Sequence, residues 1–274
     1  MGIQAPLSSH KSSLVSLYIF SLVQVWNVLR SQYPSKQERY IDALYAPDCD
    51  VTEEGVGQSV QAGRELLKAL HQDKEGGAVD PNVVFIVSPL RRALQTAQHM
   101  LQGGDGDGWQ PDQTRVHPLA AEILQDPCDI GTPVEELAQE FPHFDFRLVR
   151  KAAASGYWWA YHRSVEETWR RMKGGLTEGV EPPEEIVTRM ANLKRYVCEE
   201  FSEADVVVLV CHSETIWWLS SRQGSDGSLY GIWTANGEIV DLTDCMRLDK
   251  EEERVVETPP ALDDRYQRFD VFLT

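Results

Sequence analysis

The sequence lacks the patterns that assign a cofactor or a metal at once. It contains no glycine-rich dinucleotide fingerprint, no P-loop and no cluster with metal-ligand spacing. Its five cysteines are odd in number and scattered, which argues against a disulfide framework and favours free thiols in a reducing compartment. We therefore expect a protein without cofactor or metal. The cysteines are Cys49, Cys128, Cys198, Cys211 and Cys245.

Positive charge is also scarce. The chain has 26 lysines and arginines against 43 aspartates and glutamates, a formal net charge of −17. This balance argues against nucleic acid or an anionic membrane surface as the main partner. It leaves a small-molecule substrate open, even an anionic one, because a local pocket can oppose the global field. The oligomeric state cannot be read from the sequence.

Long apolar runs are few, and the one near the amino end, Leu14–Val23, is too short to span a bilayer. It has the length of a signal-peptide apolar region, but no small-x-small cleavage site follows it. A first core strand is therefore favoured, and a cytoplasmic location is favoured over secretion.

What the sequence does contain is a strand that turns directly into a helix. The β-branched run Val83–Val87 predicts a strand buried on both faces. Ser88 and Pro89 predict the N-cap and first turn of a helix that continues to Leu101. Free backbone N–H groups and the helix dipole favour an anion at such a junction, and Arg92 lies one turn into the helix. The stretch therefore predicts an anion site.

Two further buried strands, Leu14–Val23 and Asp205–Val210, alternate with helical segments. This alternation predicts a three-layer α/β sandwich with a mostly parallel sheet of about six strands. We expect a flexible tail at 1–13, one α/β domain at 14–248 with a helical insertion near 143–183, and a C-terminal extension at 249–274. The other predicted elements are a helix over Asp48–Leu70 entered at Thr52, a short strand at Arg115–Leu119, a helix from the capping box Thr132–Glu135, a helix over Glu184–Phe201, a helix capped by Ser213, and an edge strand at Glu238–Leu242 after an Asn236–Gly237 turn.

Ligands of parallel sheets bind outside the carboxyl ends of the strands, so the residues there are the candidate site. Arg92 and His212 follow two of the buried strands, and Glu122 can join them from a loop. Each also has a plainer interpretation, as a surface helix arginine, a structural histidine or an unrelated acid. The candidate binding residues are Ser21, Leu22 and Asn27 after the first strand, Ser88 and Arg91 after the second, and Ser213 and Glu214 after the third.

An aromatic cluster, Tyr157–Tyr161, lies in the predicted helical insertion. It fits packing of that insertion, and alternatively a lid or an aromatic wall for a substrate.

Several segments resemble signatures of one family, the histidine phosphatase superfamily of phosphoglycerate-mutase-like proteins. Val87–Ala97 is similar to its second signature, and Leu119–Glu122 with Asp129–Gly131 is similar to the loop that holds its general acid. Other matching segments are Asp48–Gln58, Val208–His212 and Asn236–Ile239, so the resemblance covers about residues 14–245.

The resemblance implies a mechanism and roles. In that family a histidine just after the first strand attacks phosphorus. Carried over by motif, Arg92 would clamp the phosphoryl oxygens, Glu122 would be the acid or base, and His212 the second phosphate ligand. Asn27 would match the asparagine after the nucleophile. These roles place Arg92, Glu122 and His212 around one cavity.

The first signature, Arg-His-Gly, departs from the family pattern. The stretch Leu17–Asn27 contains no histidine, and the nucleophile position falls on Ser21 or Leu22 depending on the anchor. Loss of an attacking residue lowers turnover by about a millionfold. By the family's own mechanism, this chain is expected to be a poor phosphatase.

Three hypotheses follow for the function. The favoured one is an enzyme repurposed to acid/base chemistry (isomerase, lyase, cyclase or hydrolase) on an anionic or carbonyl-bearing organic metabolite. The second is a weak phosphatase or mutase relative, or a non-catalytic module that binds a phosphorylated ligand or a protein. The third is a gene-model error at Phe20–Val25 that hides an ordinary phosphatase.

Overall fold

The fold is seen in a computed structural model, which describes residues 16–20, 48–72, 81–103, 114–125, 127–154, 158–159, 181–234 and 237–246. The predicted tail, the C-terminal extension and most of the predicted insertion lie outside these ranges, so the proposed domain boundaries stay predictions. No helix within the described ranges has the length and hydropathy needed to cross a membrane.

The main sheet has five strands in the described part of the chain and is mostly parallel, with the order β3-β2-β4-β1-β7. Only β7 runs antiparallel, along β1. About six strands were predicted, and five are seen in this sheet among the described residues, because β5 and β6 pair with each other in a separate ribbon. The strands are β1 Ser16–Phe20, β2 Val83–Val87, β3 Thr114–Val116, β4 Val206–Val210, β5 Arg222–Gln223, β6 Leu229–Tyr230 and β7 Ile239–Asp241.

Helices cover both faces of this sheet and complete the predicted α/β sandwich. They are α1 Glu53–Gln72, α2 Arg91–Gly103, α3 Val134–Glu140, α4 Arg147–Ala153, α5 Pro183–Glu200 and α6 Ser213–Ser220, with 3₁₀ turns at Pro118–Ala120 and Pro127–Asp129. On one face α1 and α2 cross so closely that a Cβ on Gly63 would lie 2.3 Å from the Met100 carbonyl oxygen.

Two apolar clusters, one on each face, explain why β2 and β4 are the central strands. Successive side chains of a strand point to opposite faces. Phe85 and Val208 therefore pack on the α1/α2 side, whereas Ile86 and Leu209 pack on the α5/α6 side. The continuous apolar runs are buried on both faces, as the sequence predicted.

The residues predicted to begin helices were only partly correct. Thr52 caps α1 as expected, its Oγ1 accepting from the Gly55 N–H at 3.1 Å. The helix after Ser88 and Pro89 begins at Arg91; the Ser88 hydroxyl accepts from the Leu90 N–H at 3.3 Å and is also bonded to His212.

Two other capping predictions are wrong. Ser213 is the first residue of α6, and the N-cap position belongs to His212. The predicted capping box at Thr132–Glu135 does not form, since Pro133 occupies the N-cap and makes no side-chain bond. The Glu135 carboxylate instead accepts two hydrogen bonds from Arg150, at 2.9 and 3.0 Å.

Candidate active site

The parallel pairing of β2 with β4 brings the ends of both strands together. Val87 and Val210 are register partners, and the Ser88 N–H donates to the Val210 carbonyl at 2.9 Å. Ser88, directly after β2, and His212, two residues after β4, are joined by a hydrogen bond of 2.8 Å between Oγ and Nε2. Both side chains are buried.

His212 is a neutral imidazole in this setting. Burial holds its pKa well below the ordinary value, and the positive charges of Arg92 and Arg189 act in the same direction. Its Nδ1 atom is buried and has no hydrogen-bond partner among the residues that the structure describes. One ring nitrogen is thus available to a group at the strand ends.

Arg92 is fully buried beside this pair. Its Nη1 donates to the Cys128 carbonyl at 2.7 Å, and its Nη2 donates to Asp129 Oδ1 at 2.9 Å. Burial is the largest single influence and lowers the pKa of Arg92, but the negative charges around it, Asp129 first among them, together outweigh burial and raise the pKa, so the guanidinium stays charged. Its Nε–H is buried without a partner in the described part of the chain. Much of the predicted clamp is therefore occupied by the protein itself.

Glu122 lies in the loop after the 3₁₀ turn Pro118–Ala120 and contacts the first turn of α6. Its Oε1 accepts from the Ile123 N–H at 3.0 Å and from the Thr215 N–H and hydroxyl, both at 3.2 Å. Burial raises the pKa of Glu122 to about 7, the Asp129 charge acts in the same direction, and Arg92 opposes the shift. Near neutral pH both protonation states are populated, which general acid–base catalysis requires.

A cavity of about 420 Å³ opens beside Glu122. One side is apolar, and the ring centroids of Trp158 and Trp159 lie 5.4 Å apart at an interplanar angle of 84°. Both indoles are buried in the apolar cluster on the α1/α2 side, which agrees with the packing interpretation. They also border the cavity, and the aromatic-wall interpretation stays a prediction. The tyrosines of the cluster lie outside the described residues. The described lining comprises Pro118, Leu119, Ala121, Glu122, Leu124, Asp129, Ala152, Trp158, Trp159, Glu181, Glu185, Thr188, Arg189 and Asn192.

The charge of the cavity is mainly negative. The described lining carries four carboxyl groups and one cation, Arg189, which already binds Glu181 through two contacts of 2.7 Å. The same guanidinium donates to the carbonyls of Leu119 and Ala121, at 2.9 and 2.8 Å, and so fixes the loop that carries Glu122.

The predicted site residues fall into distinct places. Arg92, Glu122 and His212 are neighbours that act on one another electrostatically, but only Glu122 is among the described residues lining the cavity. Arg91 is directed away, its Nε donating to Glu140 Oε2 at 3.0 Å. Glu214 accepts from Gln125 Nε2, and Ser213 is half-buried beside it.

Ser21, Leu22 and Asn27 lie outside the described residues, so their binding roles stay predictions.

Three contributors were missing from the predicted site. Asp129 pairs with Arg92, Thr215 bonds Glu122, and Arg189 braces the Glu122 loop. Asp129 did give a signal, because Asp129–Gly131 belongs to the segment that resembles the loop holding the family's general acid. Arg189 gave no signal, since it occupies an ordinary position on an amphipathic helix.

Comparison with known proteins gives similarity to solved structures only. No family model matches the chain, and no curated protein matches it. The ecdysone phosphate phosphatase of Bombix mori, solved with tungstate, is similar at 16% identity and a TM-score of 0.45, over 74% of this chain and 75% of that one.

Two further similarities are weaker in TM-score. A putative alpha-ribazole-5′-P phosphatase of Escherichia coli has 16% identity and a TM-score of 0.37, over 73% and 75% of the two chains. A mycobacterial glucosyl-3-phosphoglycerate phosphatase has 18% identity and a TM-score of 0.36, over 75% and 76%. The identities and TM-scores are low, so the similarity does not extend to the chemistry of the site. The solved structures to which the chain is similar are members of the histidine phosphatase superfamily, the same family that its sequence motifs resemble.

Proposed function

We propose that the protein is an enzyme that moves protons on a carbonyl-bearing organic molecule, with Glu122 as its acid and base. The observation that carries this proposal is a carboxyl group with a pKa of about 7 in the wall of a cavity of about 420 Å³. A group poised near the working pH transfers protons in both directions most effectively.

The supports of Glu122 fit such a role. Oε1 is fixed by three hydrogen bonds from Ile123 and Thr215. No hydrogen bond to Oε2 is seen among the described residues, which suits that oxygen to meet a substrate. Asp129 favours the protonated form, and the Arg92 charge limits the shift. Proton transfer by such a positioned group contributes about 10²–10⁴-fold to a rate.

The cavity favours a neutral substrate over a strongly anionic one. Its described carboxyl groups outnumber its one cation, and that cation is paired with Glu181. A dianion there would lose hydration without compensation. The indoles of Trp158 and Trp159 border the cavity but are only 5% and 3% exposed, so they add a small apolar edge for a hydrophobic substrate body. A ketone, lactone or enolisable ester meets these conditions.

Exchange of a carbon-bound proton tests this proposal directly. A panel of ketones, keto acids and lactones is incubated with the protein in D₂O, and deuterium incorporation next to the carbonyl is followed by NMR. We expect catalysed exchange whose rate rises with pH through about 7, as Glu122 becomes a base. Glu122→Gln should lower the rate by about 10²-fold or more.

The control is Glu185→Gln, which changes an exposed carboxyl group of the same cavity and should leave exchange intact. Equal exchange by wild-type protein and Glu122→Gln across the panel would contradict the proposal.

A second candidate, binding of a phosphorylated ligand, rests on a different observation. Arg92 Nε and His212 Nδ1 are both buried and without partners among the described residues, and the Arg92 charge acts on His212. Buried polar atoms are nearly always paired, so two such atoms at the strand ends favour an anion there. Inorganic phosphate or vanadate should then raise the Tm while p-nitrophenyl phosphate stays uncleaved. An unchanged Tm in Arg92→Lys and in wild-type protein alike would contradict it.

The composition of the chain adds a location and a class of partner to the proposed function. The formal charge of −17 and the five thiols support a protein that works in the cytoplasm on a small molecule, without nucleic acid or membrane as partner.

A further inference from the structure

Two cysteines that are distant in sequence meet beside Arg92. Cys49 lies in the segment that leads into α1, and Cys128 lies in the 3₁₀ turn Pro127–Asp129. Their side chains are neighbours, since each is the largest influence on the pKa of the other, and both act electrostatically on the Arg92 guanidinium. Neither thiol has a part in the chemistry proposed above.

The segment that carries Cys49 is fixed from several sides. The Asp48 carboxylate accepts from the Arg91 N–H at 2.6 Å and from the Thr132 N–H at 3.1 Å. Asp48 also holds a φ of 53°, a left-handed conformation that aspartate adopts more readily than most residues. On the other side of Cys49, the Val51 N–H donates to Gln95 Oε1 at 2.8 Å. The Cys49 backbone is thus held against α2.

Cys128 is fixed in turn. Its carbonyl accepts from Arg92 Nη1 at 2.7 Å, and its Sγ lies 3.7 Å from Asp129 Oδ1. Both thiols therefore sit on anchored segments beside Arg92. A disulfide between them requires Cβ atoms about 3.5–4.5 Å apart.

The two thiols differ in reactivity. The neighbouring Cys128 thiol lowers the pKa of Cys49 to about 7, with help from the Arg92 charge. The same interaction, together with burial, raises the pKa of Cys128. Cys49 is also half-buried, so a small oxidant can reach it. A low-pKa thiol beside a second cysteine is the arrangement found in redox-sensing pairs.

We propose that Cys49 and Cys128 form a redox modification site, which peroxide converts into a disulfide across the Arg92 anchor. The Cys49 thiolate attacks one peroxide oxygen, breaking the O–O bond and giving a sulfenic acid and, after protonation, water. The Cys128 sulfur then attacks the Cys49 sulfur and releases a second water as its own proton leaves. Overall, two thiols and one hydrogen peroxide give one disulfide and two waters.

The disulfide changes the surroundings of Arg92. It removes the Cys49 thiolate from beside the guanidinium and joins the segment before α1 to the turn whose carbonyl anchors Arg92. It also closes a long loop, and loop closure constrains the unfolded chain. We therefore expect oxidation to raise the Tm by roughly 5 °C.

The experiment is peroxide titration of the full chain, followed by peptide mapping and thermal unfolding. The Cys49–Cys128 peptide should be the first cysteine product, formed at least about tenfold faster than products of Cys198 or Cys245. It should vanish on treatment with dithiothreitol, and the Tm should return to its starting value. In Cys128→Ser, Cys49 should stop at the sulfenic acid, which dimedone traps.

Cys198→Ser is the matched control and should keep both the linkage and the Tm shift. The proposal is overturned if the linked peptide forms no faster in the folded chain than in urea. It is also overturned if Cys49 oxidises to the sulfonic acid without linkage. Because the readout is covalent, these outcomes do not depend on the catalytic role of Glu122.

Discussion

Two neighbouring regions differ in how their polar groups are bonded: the strand-end cluster, formed by Ser88, Arg92 and His212, and the cavity beside Glu122. In the cluster, most polar atoms are bonded within the protein, and the side chains of Arg92 and His212 are almost fully buried. In the cavity, Glu122 has one oxygen held and is exposed on 7% of its surface. Under the proposed enzyme function, the cluster supplies field and structure, whereas Glu122 meets the substrate.

The largest expected effect comes from breaking the buried pair in the cluster. Arg92→Met removes the guanidinium that is paired with the buried Asp129 carboxylate, which costs about 3–5 kcal/mol of unfolding free energy. Urea denaturation measures the change. Arg91→Met is the control, because the Arg91–Glu140 pair is partly exposed and is worth about 0–1 kcal/mol. Equal losses in both variants would contradict a structural role for the cluster.

The next effect concerns pH. Glu122 has a folded-state pKa of about 7 against an ordinary value of 4.5, so the folded state binds its proton more tightly. Stability therefore falls as pH rises from about 4.5 to 7, by up to about 3 kcal/mol for this group. Asp48, with its pKa raised to about 6, adds a fall of the same sign over a lower window.

Glu122→Gln isolates the contribution of Glu122. The slope of unfolding free energy against pH near 6 should become shallower by about 1 kcal/mol per pH unit. Denaturant titrations at several pH values measure it. An unchanged slope would mean that the Glu122 carboxyl titrates normally in the folded chain.

A smaller effect is expected from disturbing the aromatic wall. A Cβ on Gly131 would lie 2.0 Å from the Trp158 ring, so Gly131→Ala must displace that indole. We expect a loss of about 1–3 kcal/mol, a change in tryptophan fluorescence and weaker exchange activity. Gly57→Ala is the control, since its Cβ meets nothing within 4 Å and a helical alanine stabilises by about 1 kcal/mol. A Gly131→Ala variant with wild-type fluorescence and activity would contradict the wall.

The sequence predicted best where one local cause dominates. Val83–Val87 matches β2 residue for residue because a buried β-branched run has few alternatives, and Thr52 caps α1 through a local bond to the Gly55 N–H. At Ser88 a tertiary contact is added to the local one, since its hydroxyl accepts from the Leu90 N–H and also bonds His212. Ser213 is not a helix cap, because His212 takes the cap position.

The predictions for the site were likewise correct where one cause decides and incomplete where distant elements pack together. Topology alone brings Arg92 and His212 together, since both follow adjacent parallel strands. The direction of Arg91 toward Glu140 and the bracing of the Glu122 loop by Arg189 depend on packing between distant elements. Such contacts leave no periodic pattern in the sequence, so they could not be predicted from it.

Carbon-13 NMR of the protein with labelled glutamate carboxyl groups, compared with Glu122→Gln to assign the signal, measures the ionisation of Glu122 itself. The account predicts one carboxyl that titrates at a pKa of about 7 and disappears in the variant. A Glu122 signal that titrates at the ordinary value of 4.5 would contradict the proposed acid–base role.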